Sequence, residues 1–369
     1  MWKRVKEKIF SQLEHMLPYG VYKSIRIRYS HIFTRDKREE YYGAYFYKRT
    51  GRAKEKYCIF RFNIGIGVCA IVRQYIFLCE WAEKKGLIPI IDHETMYEFS
   101  KGQLGTDNRW EYVFEQPLSI RKVLEQEWVL VEEMNPHCCL RETCQAVNGD
   151  ENDDFLHLKR DNWREYYKNA GAYYRKWIKW KPELAAAYEK NYGSYMKETG
   201  HKWIGVCLRE EFSDDIPKTD DRAKKIYAQH PYNLTLDESI ILVKKYIEKW
   251  KCRKIFLSTQ YQNSVDAFIR EFGEENVVYV NRDRFNFQNI ESLSSIWGKN
   301  EKEASDIIRG TRDRAVEITT AYMQEILGLS QCNYLIAASG SGAAVALALN
   351  GGQYDDIYIL PDKNDIKRY

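Results

Sequence analysis

Residues 201–360 alternate apolar segments of strand length with segments of helical periodicity, and this alternation constrains the fold more than any other feature of the chain. The apolar segments are 203–208, 254–258, 276–280, 333–338 and 356–360. Helical patterns are predicted between them, at roughly 235–251, 261–273, 312–330 and 341–350. Buried strands that alternate with helices in this way are typical of a doubly wound parallel sheet. Ligands of such sheets bind beyond the carboxyl ends of the strands, so polar residues there are the first site candidates.

The first half of the chain also contains a strand–helix–strand pattern. Segments 57–62, 87–92 and 128–133 are predicted strands, and a long helical pattern over 68–85 ends at Gly86. Residues 160–200 are predicted to be helical. Because 369 residues exceed the usual size of one core, we predict two Rossmann-like domains, 1–200 and 201–369.

Composition excludes several classes of protein. The chain is 44% hydrophobic and 30% charged, as in an ordinary globular protein, and it has no apolar run long enough for a membrane span. Nine scattered Cys favour buried thiols in a reducing compartment. The 28 Tyr and 10 Trp fit carbohydrate stacking about as well as they fit a Tyr-rich composition without functional meaning.

Charge is concentrated near the start of the chain. Residues 1–56 hold 15 Lys and Arg against 6 Asp and Glu, whereas the whole chain carries only +4. This basic arm, which is predicted to be helical, could lie on an anionic membrane face, or it could be a solvated helix packed on its own domain. The remainder is too weakly basic to indicate nucleic-acid binding.

Three predicted strands of the second half end in polar residues. The first is followed by Arg209, with Glu210 and Glu211 directly after it. Another ends in Ser258-Thr259-Gln260, and a third runs into "ASGSGAA" at 338–344. Because the carboxyl ends of parallel strands share one edge, these groups are expected to lie near one another.

The serine–glycine turn has the features of a phosphate site. Gly340 and Gly342 allow close backbone approach, Ser339 and Ser341 offer hydroxyls, and the following helix presents free N–H groups. Small residues at this place also serve tight packing of a helix on a strand, which is the alternative. Arg209 could grip a phosphate bidentately, or it could pair internally with a neighbouring glutamate.

A second glycine turn, "NIGIG", stands before the helix at 68–85. Asn63, Gly65 and Gly67 are therefore candidates for a second binding surface. The turn does not match a dinucleotide fingerprint, since the third glycine and a clearly placed acidic residue are missing.

Taken in order, these segments resemble the fucosyltransferases of the α1,6 and protein-O type, which include nodulation-factor fucosyltransferases. The resemblance rests on the glycine turn with its helix, "NIGIGVCAIVRQYIFLCEWAEKKG", and on "IGVCLRE", "IFLSTQ" and "EILGLSQCNYLIAASGSG". Together they span most of residues 57–350. The resemblance implies a GT-B fold, with two Rossmann-like domains facing a central cleft, and inverting transfer from GDP-fucose without a metal.

The resemblance also implies roles for single residues. Arg209 matches the arginine that contacts the donor β-phosphate, and Glu325 falls where the family has an acidic residue that recognises guanine; a surface glutamate is the alternative. Ser339 and Ser341 fall in the phosphate turn, with Gly340 and Gly342 beside them. Cys207 stands where the family has His, and Gln260 replaces the Asp after Thr259, and we count these three among the donor-binding candidates.

Inverting transfer needs a carboxylate that removes the proton of the acceptor hydroxyl. Glu211 is the first candidate and Asp215 the second, although an arginine close by would lower the pKa of such a base. His230 precedes Pro231 in a loop similar to one in bacterial relatives, and it is a candidate for the cleft.

We therefore expect an inverting glycosyltransferase that moves fucose from GDP-fucose to a glycan or lipid-linked saccharide, as in polysaccharide biosynthesis. It is expected in the cytoplasm, with a peripheral contact of residues 1–56 at the inner membrane face. Two alternatives stay open at this point. One is a transferase for another nucleotide sugar on the same fold, and the other is a non-catalytic relative that binds GDP or a sugar.

Overall fold

A computed structural model describes residues 44–50, 53–62, 67–93, 108–134, 156, 158, 161–198, 200–208, 234–282, 284 and 312–360. These residues fall into two compact units. Those within 44–65, 77–111 and 116–134 form the first unit, and those within 66–76, 112–115 and 156–360 form the second. The mixed α/β class predicted from the sequence is confirmed in both units. The placement of the two units around a central cleft stays a prediction.

The described segments contain β-strands and α-helices from 2 to 19 residues long. The strands are β1 (Ala44–Arg49), β2 (Tyr57–Phe62), β3 (Ile88–His93), β4 (Phe114–Glu115), β5 (Trp128–Met134), β6 (Lys179–Trp180), β7 (Trp203–Cys207), β8 (Lys254–Ser258), β9 (Val277–Tyr279), β10 (Tyr334–Ala338) and β11 (Asp356–Leu360). The α-helices are α1 (Val68–Lys84), α2 (Ile120–Leu124), α3 (Trp163–Trp177), α4 (Pro182–Tyr188), α5 (Ser194–Glu198), α6 (Leu236–Trp250), α7 (Gln262–Phe272), α8 (Arg312–Ser330) and α9 (Ser341–Asn350).

The first unit contains a four-stranded sheet in the order β1-β5-β2-β3. Strands β2, β3 and β5 are parallel, as the strand–helix–strand pattern predicts. Gly86, at a φ of 67°, takes the left-handed conformation that ends α1 before β3 begins. Every residue of β2 is buried, which explains its continuous apolar sequence.

Strand β1 corrects the prediction of a helical arm over residues 1–56. It pairs antiparallel with β5 at the edge of the first sheet. The ring of Phe46 contacts that of Trp128 edge-on at 5.2 Å, and the guanidinium of Arg49 lies over Phe46. Aromatic side chains that pack on a cross-strand neighbour favour a strand despite the basic charge around them. The rest of the arm, residues 1–43, lies outside the described part of the chain.

A buried ion pair lies near the carboxyl ends of β2 and β3. Arg61 and Asp92 are in register, and Nε of Arg61 lies 3.6 Å from Oδ2 of Asp92. The carboxylate of Asp92 is fully buried. Asp92 is thus a structural partner of an arginine, which agrees with the absence of a dinucleotide fingerprint in this part of the sequence.

The second unit contains a five-stranded, fully parallel sheet in the order β11-β10-β7-β8-β9. Counted within this unit, the order is that of the classic doubly wound sheet. Its strands and the helices α6 to α9 lie within one or two residues of the segments predicted from apolar periodicity. One face is covered by a core that includes Val243, Trp250 and Phe268 from α6 and α7.

The helices of residues 163–198 pack in the second unit, whereas we predicted a domain boundary at residue 200. The guanidinium Nη1 of Arg164 donates to the carbonyl oxygens of Gly352, at 2.7 Å, and Tyr354, at 2.9 Å. The backbone at Gly171 lies so close to Ala348 that a Cβ at Gly171 would collide with its carbonyl oxygen. Helix α3 therefore packs directly on α9, and a break in sequence pattern near Gly200 does not coincide with a break in packing.

Replacing Gly171 by Ala tests this contact. In an ordinary helix the change would stabilise by about 1 kcal/mol, because alanine has the higher helix propensity. Here the added methyl group must displace the backbone of α9, so we expect Gly171→Ala to lower the free energy of unfolding by about 1–3 kcal/mol. Urea denaturation measures this, with Ala172→Ser on the exposed face of α3 as the control. A variant as stable as the wild type would contradict the packing of α3 on α9.

Candidate functional site

The carboxyl edge of the second sheet contains the topological switch point of its chain. From β7 the chain runs through β8 to β9 on one side, and then it returns to β10 and β11 on the other. Strands β7 and β10 are neighbours, with Cys207 paired to Ala337. Crevices for ligands form beyond the strands at such a point. The end of β7 and the serine–glycine turn after β10 thus share the edge at which ligands of doubly wound sheets bind.

The serine–glycine turn leads directly from β10 into α9. Gly340 is extended, with φ −156° and ψ 171°, and it is the N-cap of a helix that begins at Ser341. A glycine N-cap has no side chain to occupy the first N–H groups of the helix. Ser339, Gly340 and Ser341 are all partly exposed. The turn can therefore offer hydroxyl and backbone donors to an anion.

Gly342 has a different role from Gly340. A Cβ at Gly342 would lie 2.8 Å from the hydroxyl oxygen of Tyr322 and 3.2 Å from Cδ1 of Ile326, both on α8. At Gly340 the nearest atom to such a Cβ, the carbonyl oxygen of Ala338, is 4.0 Å away. Close packing of α9 on α8 thus explains Gly342, while Gly340 leaves open space at the turn.

Thiol and phenol groups lie behind the turn. Cys69 hydrogen-bonds to Met323, with 3.9 Å between the two sulfurs. Burial raises the pKa of the Tyr322 hydroxyl, and Cys69 and Cys207 raise it further. Burial also raises the pKa of the Cys69 thiol, against a smaller opposing effect of its hydrogen bond with Tyr322. These groups are neutral near pH 7, so they add no negative charge beside the turn. Cys207 itself is partly exposed at the end of β7.

Of the three polar residues at the end of β8, two are buried and one is partly exposed. Ser258 is buried, and its hydroxyl donates to Oε2 of Glu325 at 2.8 Å. Thr259 is buried too, and its hydroxyl oxygen accepts from the backbone N–H of Tyr261 at 3.1 Å. Gln260 is partly exposed. Of the two donor-site candidates here, Gln260 is the one whose side chain is open to a ligand.

Glu325 is the centre of a buried ionic cluster that we define as Glu325, Arg282, Arg284 and Ser258. Its carboxylate is fully buried, which excludes the alternative of a surface glutamate. Oε1 accepts from Nε of Arg282 at 2.7 Å and from Nη2 of Arg284 at 3.0 Å. Oε2 accepts from Ser258 and from Nη2 of Arg282, the latter at 3.1 Å. Four donors therefore surround the carboxylate predicted to recognise guanine.

The two arginines of this cluster are fixed further by backbone carbonyls. The Thr259 carbonyl accepts from Nη2 of Arg282 at 3.0 Å and from Nε of Arg284 at 3.3 Å. Nη2 of Arg284 also donates to the carbonyl of Val280 at 2.6 Å. Burial lowers the pKa of Arg284, and Glu325 acts in the opposite direction. The cluster holds two guanidinium groups against one carboxylate, so its side chains carry one excess positive charge.

A π-helical turn anchors the segment that follows β9. The turn, Glu189–Gly193, lies between α4 and α5. The hydroxyl oxygen of Tyr192 accepts from the backbone N–H of Asn281 at 3.1 Å. Because Asn281 directly precedes Arg282, this bond fixes the backbone from which the guanidinium extends.

Arg282 and Arg284 were not predicted as site residues from the sequence. The signal was present, because "NRDRF" places two arginines directly after the predicted strand at 276–280. It is the same arrangement that singled out Arg209 after its strand. Applying the strand-end rule to every strand of the sheet would have found both residues.

Several predicted site residues lie outside the described part of the chain. They are Asn63, Gly65, Arg209, Glu211, Asp215 and His230. Gly67 is described and exposed, and its carbonyl accepts from the N–H groups of Ala70 and Ile71 at the start of α1. The roles of all these residues stay predictions.

No group of three or more His, Cys, Asp and Glu side chains within the described segments is placed to hold a metal ion. Likewise, none of the helices in those segments has the length and apolar character needed to span a bilayer.

No protein-family model matches the chain, and no curated protein is similar to it in sequence. Solved structures with a similar backbone include that of the α-1,6-fucosyltransferase NodZ soaked with GDP-fucose. It is 15% identical, with a TM-score of 0.43, over 80% of this chain and 93% of NodZ.

Two further similar structures are complexes with GDP. A mutant of Arabidopsis thaliana FUT1 is 8% identical, with a TM-score of 0.41, over 97% of this chain and 79% of that one. POFUT1 is 7% identical, with a TM-score of 0.39, over 84% of this chain and 99% of POFUT1.

Removing the carboxylate of Glu325 tests the ionic cluster. Glu325→Ala leaves two buried guanidinium groups without their shared counter-charge, so we expect the free energy of unfolding to fall by about 3–5 kcal/mol. Glu317→Ala, at an exposed position of the same helix, is the control and should change it by less than about 0.5 kcal/mol. Chemical denaturation of both variants measures the difference. Equal stability of the two would show that the cluster does not stabilise the unit.

Proposed function

We propose that this protein is an inverting glycosyltransferase that transfers fucose from GDP-fucose to a glycan or lipid-linked saccharide. The observation that carries the proposal is the serine–glycine turn at residues 339–342. It lies at the switch point of a doubly wound sheet, next to the strand that leads into Arg209. A diphosphate bound there would accept hydrogen bonds from the first N–H groups of α9 and from the hydroxyls of Ser339 and Ser341.

The proposed reaction is a direct displacement at the anomeric carbon of the sugar. The acceptor hydroxyl oxygen forms the new glycosidic bond, and the bond between the anomeric carbon and the β-phosphate oxygen breaks. The hydroxyl proton passes to a carboxylate, with Glu211 as first candidate and Asp215 as second. The electron pair of the broken bond leaves with GDP, on which Arg209 and the N–H groups of α9 would stabilise the added negative charge.

No metal is part of this proposal, because a guanidinium and a helix N-terminus would supply positive potential at the leaving group. Gln260 would lie at the donor, since it is the exposed polar residue at the end of β8. We place Asn63, Gly65, Gly67 and His230 on the acceptor side. The basic residues of 1–56 would bring the enzyme to the cytoplasmic face of a membrane that holds a lipid-linked acceptor.

A second candidate is a relative that binds GDP or a nucleotide sugar without transferring the sugar. The observation that favours it is Cys207, a thiol at the end of β7 where the fucosyltransferase pattern has His. Such a protein would be stabilised by GDP but would release no GDP from GDP-fucose in the presence of glycan acceptors.

Replacing Arg209 by Ala tests the role of this residue in the transfer. If Arg209 stabilises the leaving diphosphate, kcat/KM for fucose transfer should fall by a factor of roughly 10²–10³ or more, with melting temperature unchanged. Arg253→Ala, an exposed residue before β8, is the matched control and should keep full activity. The measurement is GDP release from GDP-fucose with and without acceptor.

Thermal-shift measurements with GDP, UDP, ADP and CMP complete the test. Stabilisation by GDP is expected to be the largest. Wild-type turnover in the Arg209→Ala variant would contradict the proposed mechanism, and stabilisation by UDP but not GDP would contradict the proposed donor.

A further inference from the structure

Two of the three guanidinium nitrogens of Arg282 are held by hydrogen bonds. Its Nε and Nη2 atoms donate to Glu325 and Thr259. Within the described segments, Nη1 of Arg282 has no hydrogen-bond partner. The side chain is 12% exposed, whereas that of Arg284 is 1% exposed. One edge of an otherwise fixed guanidinium thus keeps donors for a ligand.

Glu325 orients this guanidinium and has no acceptor position left for a ligand. A carboxylate offers about four lone-pair positions, and Arg282, Arg284 and Ser258 fill four of them. A base that approached Glu325 would have to displace a buried arginine, which would be left without its counter-charge. The carboxylate therefore presents an arginine to the edge of the sheet.

Arg284 stabilises the same arrangement from the buried side of the cluster. Its donors go to Glu325 and to the carbonyls of Thr259, Val280 and Arg282. The carbonyl oxygens, which are the negative ends of their dipoles, face the positive charge of Arg284 inside the unit. The guanidinium of Arg282 is consequently the member of the cluster that is available to a ligand.

The position of Arg282 relative to the switch point indicates which part of a ligand it would meet. Arg282 follows β9, which lies three strands from β10, the strand that runs into the serine–glycine turn. Neighbouring strands are about 4.8 Å apart, so these two strand ends are separated by about 14 Å along the edge. In doubly wound sheets with a pyrophosphate at the switch point, the end of the second strand meets the ribose. The end of the third strand is then the place for the base.

We propose that Arg282 recognises the oxo group of the nucleotide base, and that this contact selects guanine over adenine and cytosine. The inference rests on the proposed function, because it requires a nucleoside diphosphate at the serine–glycine turn. A guanidinium only donates hydrogen bonds. Guanine presents acceptors at O6 and N7, whereas adenine and cytosine present amino donors at N6 and N4. Inosine diphosphate has the same O6 and N7 acceptors but lacks the 2-amino group.

Dissociation constants of GDP, inosine diphosphate and ADP, measured by calorimetry, test this recognition. For the wild type we expect inosine diphosphate to bind within about threefold of GDP, and ADP to bind about tenfold or more weakly. Arg282→Met keeps a side chain of similar length without donors, and it should bring GDP to within about threefold of ADP. Arg270→Met, on the exposed surface of α7, is the control and should leave all three constants unchanged.

Three outcomes would overturn the inference, and they can be told apart. Inosine diphosphate that binds far more weakly than GDP would show that the 2-amino edge is recognised instead. An equal loss of affinity for all three nucleotides in Arg282→Met would place Arg282 at the phosphates. Failure of every nucleoside diphosphate to bind the wild type would contradict the proposed function and the inference with it. If Arg282→Met does not fold, the wild-type order of the three constants decides.

Discussion

The carboxylate of Glu325 is the group on which the carboxyl edge of the second sheet depends. It lies on α8 and binds Ser258 at the end of β8 together with two arginines after β9. A buried carboxylate between two guanidinium groups is costly to desolvate, and it is stable only when its oxygens are fully hydrogen-bonded. Those bonds are made here, so a helix and two strand ends are held in one arrangement. The excess positive charge of the cluster lies at the edge where a nucleotide would bind.

At the same edge, residues that serve packing stand directly beside residues that are open to a ligand. Gly342 is small because α8 lies against it, while Ser339, Gly340 and Ser341 are left open. Thr259 is turned into the structure and Gln260 faces outward. Donors at this edge therefore include those of the turn after β10, Gln260 and Arg282. In the proposed function, the phosphates of a nucleoside diphosphate would lie at the helix N-terminus and its base at the arginine.

Much of the fold could be predicted from the sequence, whereas less of the site could be. Strands of the second sheet are continuous apolar segments between helices of clear periodicity, so their positions could be predicted to within one or two residues. Strand β1 was missed because its Tyr and Phe residues stand in a basic segment, and its stability comes from Trp128, a partner distant in sequence. The contacts across residue 200 were not predicted for a related reason, since Gly171 and Arg164 contact residues far along the chain. Glu325 was predicted as a site residue, but its three partners lie at the end of β8 and in the segment after β9, and no local pattern reveals them.

The most direct measurement is a crystal structure of the protein with bound GDP. The account predicts diphosphate oxygens within hydrogen-bonding distance of the backbone N–H groups at Ser341 and Gly342. It also predicts O6 of guanine at Nη1 of Arg282, with Glu325 still bound to both arginines. A nucleotide bound away from the turn at 339–342, or a guanine edge in direct contact with Glu325, would contradict it.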